Sequence, residues 1–186
     1  LDIQLGQLVV GANSLFSKGI TTSSFGIINT TGESSISIAG NDDSFLRFSG
    51  SFPTLGNLSI NTNPYAHTTL GSDLWVSGDL MSDDLSFSSG IIDLNGHTLS
   101  VSGDMNLSQY VAFIGGGNSS LEIHSDNSVN GILTFFGGTG QLRDLQIDIG
   151  SGGHVILGGN LIISGNLDLD NGFVMLRNYN LRLAAG

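Results

Sequence analysis

Two pairs of adjacent carboxylates, Asp42-Asp43 and Asp83-Asp84, together with four histidines and a single tryptophan, are the residues of this chain whose types could do chemistry. Neighbouring carboxyls can divide the work of glycoside hydrolysis, one protonated as the acid and the other activating water. A polysaccharide-cleaving site also needs cations to hold acidic sugars or to abstract a proton, and here Lys18 is the only Lys. The expectation is therefore that no residue is catalytic. Asp and Asn are expected instead to start turns, their side chains bonding the backbone two residues on.

The histidines read the same way. His67 and His154 occupy equivalent positions of an internal repeat, but a whole module lies between them, which places them about four coils or ~20 Å apart, too far to share an ion. His97 and His124 have no Ser and carboxylate at the spacing of a catalytic triad. The run Gly137-Gly138-Thr139-Gly140-Gln141-Leu142 opens like a calcium-binding β-roll nonapeptide, yet Leu142 stands where the ligand Asp is required, so it reads as a Gly-rich turn. No cofactor is expected, with calcium left only as a surface ion at Asp83, Asp84 or Asp104. The residues expected to touch a ligand or partner are Trp75, which alternation pushes outward between inward Leu74 and Val76, and two further aromatics, Tyr65 and Phe136.

The elements that must carry these side chains follow from composition and pattern. Among 186 residues there are 28 Gly, no Cys, and only 11% charged residues, against usual shares of ~7% Gly and ~25% charge. That is the profile of a turn-dense β protein with a neutral polar surface, and it excludes coiled coils and helical bundles. A net charge of −11 leaves little to neutralise phosphates, so nucleic acid and anionic lipid are poor partners. No apolar run approaches the ~20 residues needed to cross a bilayer, and no leader pattern is visible after Leu1, so any targeting signal is expected to lie outside this sequence.

Repetition organises the chain. LGNLSINTNPYAHTTLGSDLWVSGDL, from Leu55 to Leu80, returns as LRDLQIDIGSGGHVILGGNLIISGNL, from Leu142 to Leu167, at an offset of 87 residues. FGIINTTGESSISI from Phe25 matches YVAFIGGGNSSLEI from Tyr110, and GIIDLNGHTLSVSG from Gly90 returns as GFVMLRNYNLRLAA from Gly172. Two tandem modules of roughly 85 residues result, approximately 5–92 and 93–175, with a third copy starting over 172–186. Inside each module an apolar-x-apolar triplet recurs before Gly, Asn or Asp, as in Leu58/Ile60, Leu74/Val76, Leu99/Val101, Leu145/Ile147 and Leu161/Ile163. This period of two marks short strands with one buried face, separated by tight turns at glycines expected to need positive φ. Leu70, Leu74, Val76, Leu80, Leu94, Leu99 and Val101 are expected inward, and Asp73, Ser77 and Ser100 outward.

An immunoglobulin-like sandwich would show about seven strands that differ from one another. Near-identical short strands instead favour an all-β parallel β-solenoid running through residues 1–186 as one continuous unit. Coils of about twenty residues give about nine coils and, at ~4.8 Å each, a rod of about 40 Å. Its terminal coils are expected to be open edges, calling for flanking β-helix coils of the same protein or other copies of the chain, the latter stacking end to end into an extracellular filament.

The segments NLSINTNPYAHTTLGSDLWVSGDLMS, SGIIDLNGHTLSVSGD and GGNLIISGNLDLDNGFVMLRNYNLRL resemble the β-strand repeats of large Bacteroidota surface proteins, the adhesin-like right-handed β-helices exported by the type IX secretion system. The resemblance implies a right-handed coil and a passive, elongated protein that is secreted or held at the bacterial cell surface on the outer membrane. It also implies bacterial secretion machinery as a partner. The function expected is that of a structural, adhesive rod segment providing reach and surface for attachment to glycans or proteins. The alternative is a carbohydrate-binding or polysaccharide-degrading β-helix, which would need a convergent polar patch on one face.

Overall fold

Alternating apolar residues become short strands whose inward pairs stack from coil to coil. The computed structural model describes residues 1–82, 90–125, 130–150 and 152–184, with backbone alone at 23, 24 and 130. Every described ladder is parallel. Sheet A stacks Asp2–Gly11, Thr21–Thr30, Ser44–Leu46, His67–Leu70, Gly90–Asp93 and Val111–Ile114. Sheet B stacks Ser14–Ser17, Ser35–Gly40, Asn57–Thr62, Leu80–Met81 and Met105–Asn106. Sheet C runs from Thr54–Leu55 through Leu74–Val76, Thr98–Val101, Ser120–Ser125 and Asp144–Ile149 to Leu167–Asn171. In the later coils, sheet D (Asn130–Leu133, His154–Leu157, Phe173–Met175) continues from the end of sheet B. Sheet E (Thr139–Leu142, Asn160–Ile163, Leu181–Leu183) continues from the end of sheet A.

The chain visits A, C and B in turn, as in His67–Leu70, Leu74–Val76 and Leu80–Met81, before returning to A at Gly90–Asp93. The result is a β-solenoid of about eight turns plus the opening strand of a ninth. That is slightly fewer than expected, because hydrogen bonds between neighbouring coils join residues 18 to 27 apart in sequence rather than a constant twenty. The inward files are uniform: Leu74, Leu99, Leu121 and Leu145 stack in one, and Val76, Val101, Ile123 and Ile147 in the next. All of them are buried in one apolar core that continues through sheets A, B, D and E. Every residue expected inward lies in that core, and Asp73, Ser77 and Ser100 lie outside it.

The segments matched at the 87-residue offset do not land on the same sheet. Leu58 and Ile60 lie in sheet B but Leu145 and Ile147 in sheet C; Leu74 and Val76 lie in C but Leu161 and Ile163 in E. The second copy thus sits one face earlier in the A–C–B order, since 87 residues fall one face short of four coils. A strand-turn unit needs only an inward apolar pair and a tight corner, so any of the three faces accepts it.

Two details differ from the expected turn chemistry. Among the described residues, Asp and Asn side chains at the corners mostly bond the backbone one coil on, not two residues on. Oδ1 of Asp43 accepts from the His67 N–H (2.8 Å), Asp73 from Thr98 (2.8 Å), Asn57 from Asp79 (2.8 Å), Asp79 from Asp104 (2.9 Å) and Asp144 from Asn166 (2.8 Å). Asp93, which accepts from Asn95, follows the local pattern. These corner amides have no ladder partner, and the Asp or Asn side chain stacked below supplies one. Some corner glycines, Gly56, Gly78 and Gly103 among them, have ordinary φ and are required instead by close backbone approach; positive φ is found at others, such as Gly96 and Gly152.

One inward polar group stands out. Thr68 is fully buried in sheet A between Ser44 and Ile92, and its Oγ1 finds no hydrogen-bond partner among the described residues. An unmet buried hydroxyl costs ~1–3 kcal/mol, and Val has nearly the same shape. Thr68→Val is therefore expected to raise the unfolding free energy by about 1 kcal/mol in urea titrations; a drop would show that the hydroxyl is satisfied.

Candidate functional site

Sheet C carries the richest outward surface. Its strands expose every second side chain, so parallel register lines those side chains up in rows along the rod. One row runs Thr54, Trp75, Ser100, Glu122, Gln146 and Asp168. The next contains His124, Asp148 and Asn171, with Asn171 Nδ2 donating to Asp148 Oδ1 at 2.8 Å. His124 Nε2 lies 3.8 Å from Glu122 Oε2, joining the two rows.

Trp75 points outward as expected and is 44% exposed. Its indole is held in place because Nε1 donates to Ser102 Oγ on the next coil at 2.7 Å. Beside it the loop residue Phe52 is 83% exposed, and with Pro53, Asp73, Thr98, Ser100 and Glu122 it encloses a notch of about 120 Å³ against the indole. Farther along, Ser102, His124, Ser125, Asp148, Gly150 and Asn171 line an open cleft of about 300 Å³. The Trp75–Ser102 bond connects the two. On the other side of Pro53 a groove of about 470 Å³ contains Arg47, Ser51, Ser72, Asp73 and His97. There His97 Nδ1 sits 3.4 Å from Asp73 Oδ1, a pairing invisible in the sequence because its members belong to different coils.

The other expected contact residues are separate from this face. Tyr65 is 81% exposed in the turn between sheets B and A, after Asn57–Thr62. Phe136 is 51% exposed but is not an isolated ring, since it meets His67 edge-on with centroids 6.4 Å apart. His154 stacks on Phe173 at 5.2 Å, and it lies in sheet D whereas His67 lies in sheet A, so the two repeat-equivalent histidines occupy different faces. Asp42 is exposed, whereas Asp43 caps the His67 amide. Asp83 and Asp84 lie outside the described residues. Leu142 is a core residue, and the Gly137-Gly138 turn before it leads into a sheet E strand. No cluster of three or more His, Asp or Glu that could hold a metal ion occurs among the described residues. No described helix is long and apolar enough to cross a membrane.

Asp144 is the carboxylate most engaged in the fold. The Asn166 amide, the Arg143 Nε at 2.6 Å and the Ser120 hydroxyl hold its pKa below the ordinary 3.8, against a smaller opposing effect of burial. A depressed pKa means that the ionised form stabilises the fold above the unfolded-state value, and that this contribution disappears as pH falls through the lower folded value. Thermal melts of the parent are therefore expected to lose stability below pH ~4 more steeply than those of Asp144→Asn. Parallel acid limbs would remove this role.

No protein-family model matches the chain, and no curated protein or solved structure matches it either.

Proposed function

We propose that this chain is a non-catalytic rod segment of a secreted or cell-surface bacterial protein, giving reach and a surface for attachment. The observation that carries the reading is the stack of parallel coils around one apolar core that runs through the described residues. Such a stack lengthens by adding coils, each contacting only its neighbours, and so serves extension and display. The corner carboxylates Asp43, Asp73, Asp79 and Asp144 support the same reading, because each has an oxygen committed to a backbone amide of the next coil. Placement on a bacterial outer surface and export by a type IX route follow the resemblance to the adhesin-like repeats. The test is to incubate the protein with whole bacterial and host-like cells and with neutral and acidic polysaccharides, scoring retained protein and newly released reducing ends in the same wells. Retention without release is the expected result. Released sugar would replace the rod by a hydrolase, and absence of retention on every surface would remove the adhesive role.

A further inference from the structure

We propose that the outward face of sheet C binds a neutral glycan laid along the rod, one sugar stacking on Trp75 and the following sugars hydrogen-bonding to Glu122, His124 and Asp148. The proposal rests on the reading of the rod as an attachment segment and names what this face attaches to.

Three observations converge on it. The first is an oriented aromatic platform. The Nε1–Ser102 bond fixes the indole plane, small Thr54 and Ser100 flank Trp75 in its row, and Phe52 stands as a wall beside the ring. An aromatic face carries a partial negative charge that attracts the polarised C–H groups on one side of a pyranose, and the small neighbours leave that side accessible. The second is spacing. Successive coils of the solenoid lie ~4.8 Å apart, close to the advance of one sugar in an extended chain, so a glycan starting on Trp75 passes Ser100 and Glu122 and then reaches the His124–Asp148 cleft. The third is charge. Neither the notch nor the cleft is lined by Lys or Arg, whereas Asp73, Glu122 and Asp148 are present. Carboxylates accept hydrogen bonds from sugar hydroxyls and repel uronates or sulfated sugars, and a chain charge of −11 adds to that repulsion. The occupant that fits is thus a neutral glycan, not an acidic one.

Trp75 is the only tryptophan of the chain, so emission excited beyond the absorption of its three tyrosines reports on this site alone. The intact chain is titrated with cello-, xylo-, manno- and malto-hexaose and with hexagalacturonate, following Trp emission and binding heat. The expected result is a saturable emission shift with at least one neutral hexaose and none with the uronate. By calorimetry, Trp75→Ala is expected to weaken that binding about ten-fold or more, and Asp148→Ala by several-fold, with both variants keeping the parent's circular dichroism. The proposal is overturned if no neutral hexaose binds, if the uronate binds as well as the neutral sugars, or if Trp75→Ala binds as the parent does. Retention of the protein on cells with silent titrations would overturn this site while leaving the rod's adhesive role standing.

Discussion

Leu99→Ala is expected to lower the unfolding free energy by ~2–5 kcal/mol, measured by urea or guanidinium titration. Leu99 is fully buried and lies in register between Leu74 on the coil before and Leu121 on the coil after. Truncation removes contacts on both sides at once. The parallel ladders holding the neighbouring backbones oppose collapse into the space left, which places the cost in a range set by cavity rather than by transfer alone. Leu5, exposed on the first strand, provides the control: Leu5→Ala should change stability by less than about 0.5 kcal/mol. Equal effects at the two positions would show that the inward file is not the core.

Gly78→Ala is the second large effect, expected to cost ~1–3 kcal/mol through overpacking. Gly56, Gly78 and Gly103 stack at the corner where the chain passes from sheet C to sheet B, and the Gly78 amide donates to the Gly56 carbonyl at 2.6 Å. A Cβ on Gly78 would lie 2.5 Å from that carbonyl oxygen, and the obstacle is backbone, which cannot rotate away. Gly116 separates this explanation from any general intolerance of alanine at turn glycines. A Cβ there meets nothing within 4 Å and its φ is not positive, so Gly116→Ala should be nearly neutral by thermal melting. A neutral Gly78→Ala would mean the corner has room to open.

Much of this architecture is legible in the residues themselves. Leu74/Val76 and Leu99/Val101 announce their inward direction because a strand has a period of two, and Trp75 between them must then face out. Repetition of such pairs through the chain points to stacking rather than to a sandwich. What stays hidden is every contact that depends on the length of a coil. Trp75 to Ser102, Asp73 to His97 and Asp43 to His67 each join neighbouring coils, and since coil length varies, no fixed offset identifies the partner. The same variation conceals the one-face offset between the two copies of the repeat. It also conceals the juxtaposition of Phe52 with Trp75, which turns an outward tryptophan into a walled notch. Isolated turns use Asp and Asn locally, which is what the sequence alone leads one to expect of the corner residues. In a solenoid the nearest unmet amide is often on the coil above.

Both the rod and the glycan site proposed on sheet C stand on parallel coils in the stated register, and the absence of cysteine makes that register directly measurable. Ser37 and Ser59 are opposed on the outward side of sheet B, one coil apart, at a separation suited to a disulfide. In the double variant Ser37→Cys with Ser59→Cys, mild oxidation should give an intramolecular disulfide, identified by mass spectrometry of the linked peptides. The pair Ser37→Cys with Asn61→Cys, displaced by two residues along the same outward face, should stay reduced under the same conditions. Bond formation in the displaced pair but not in the registered one would contradict the stack and everything built on it.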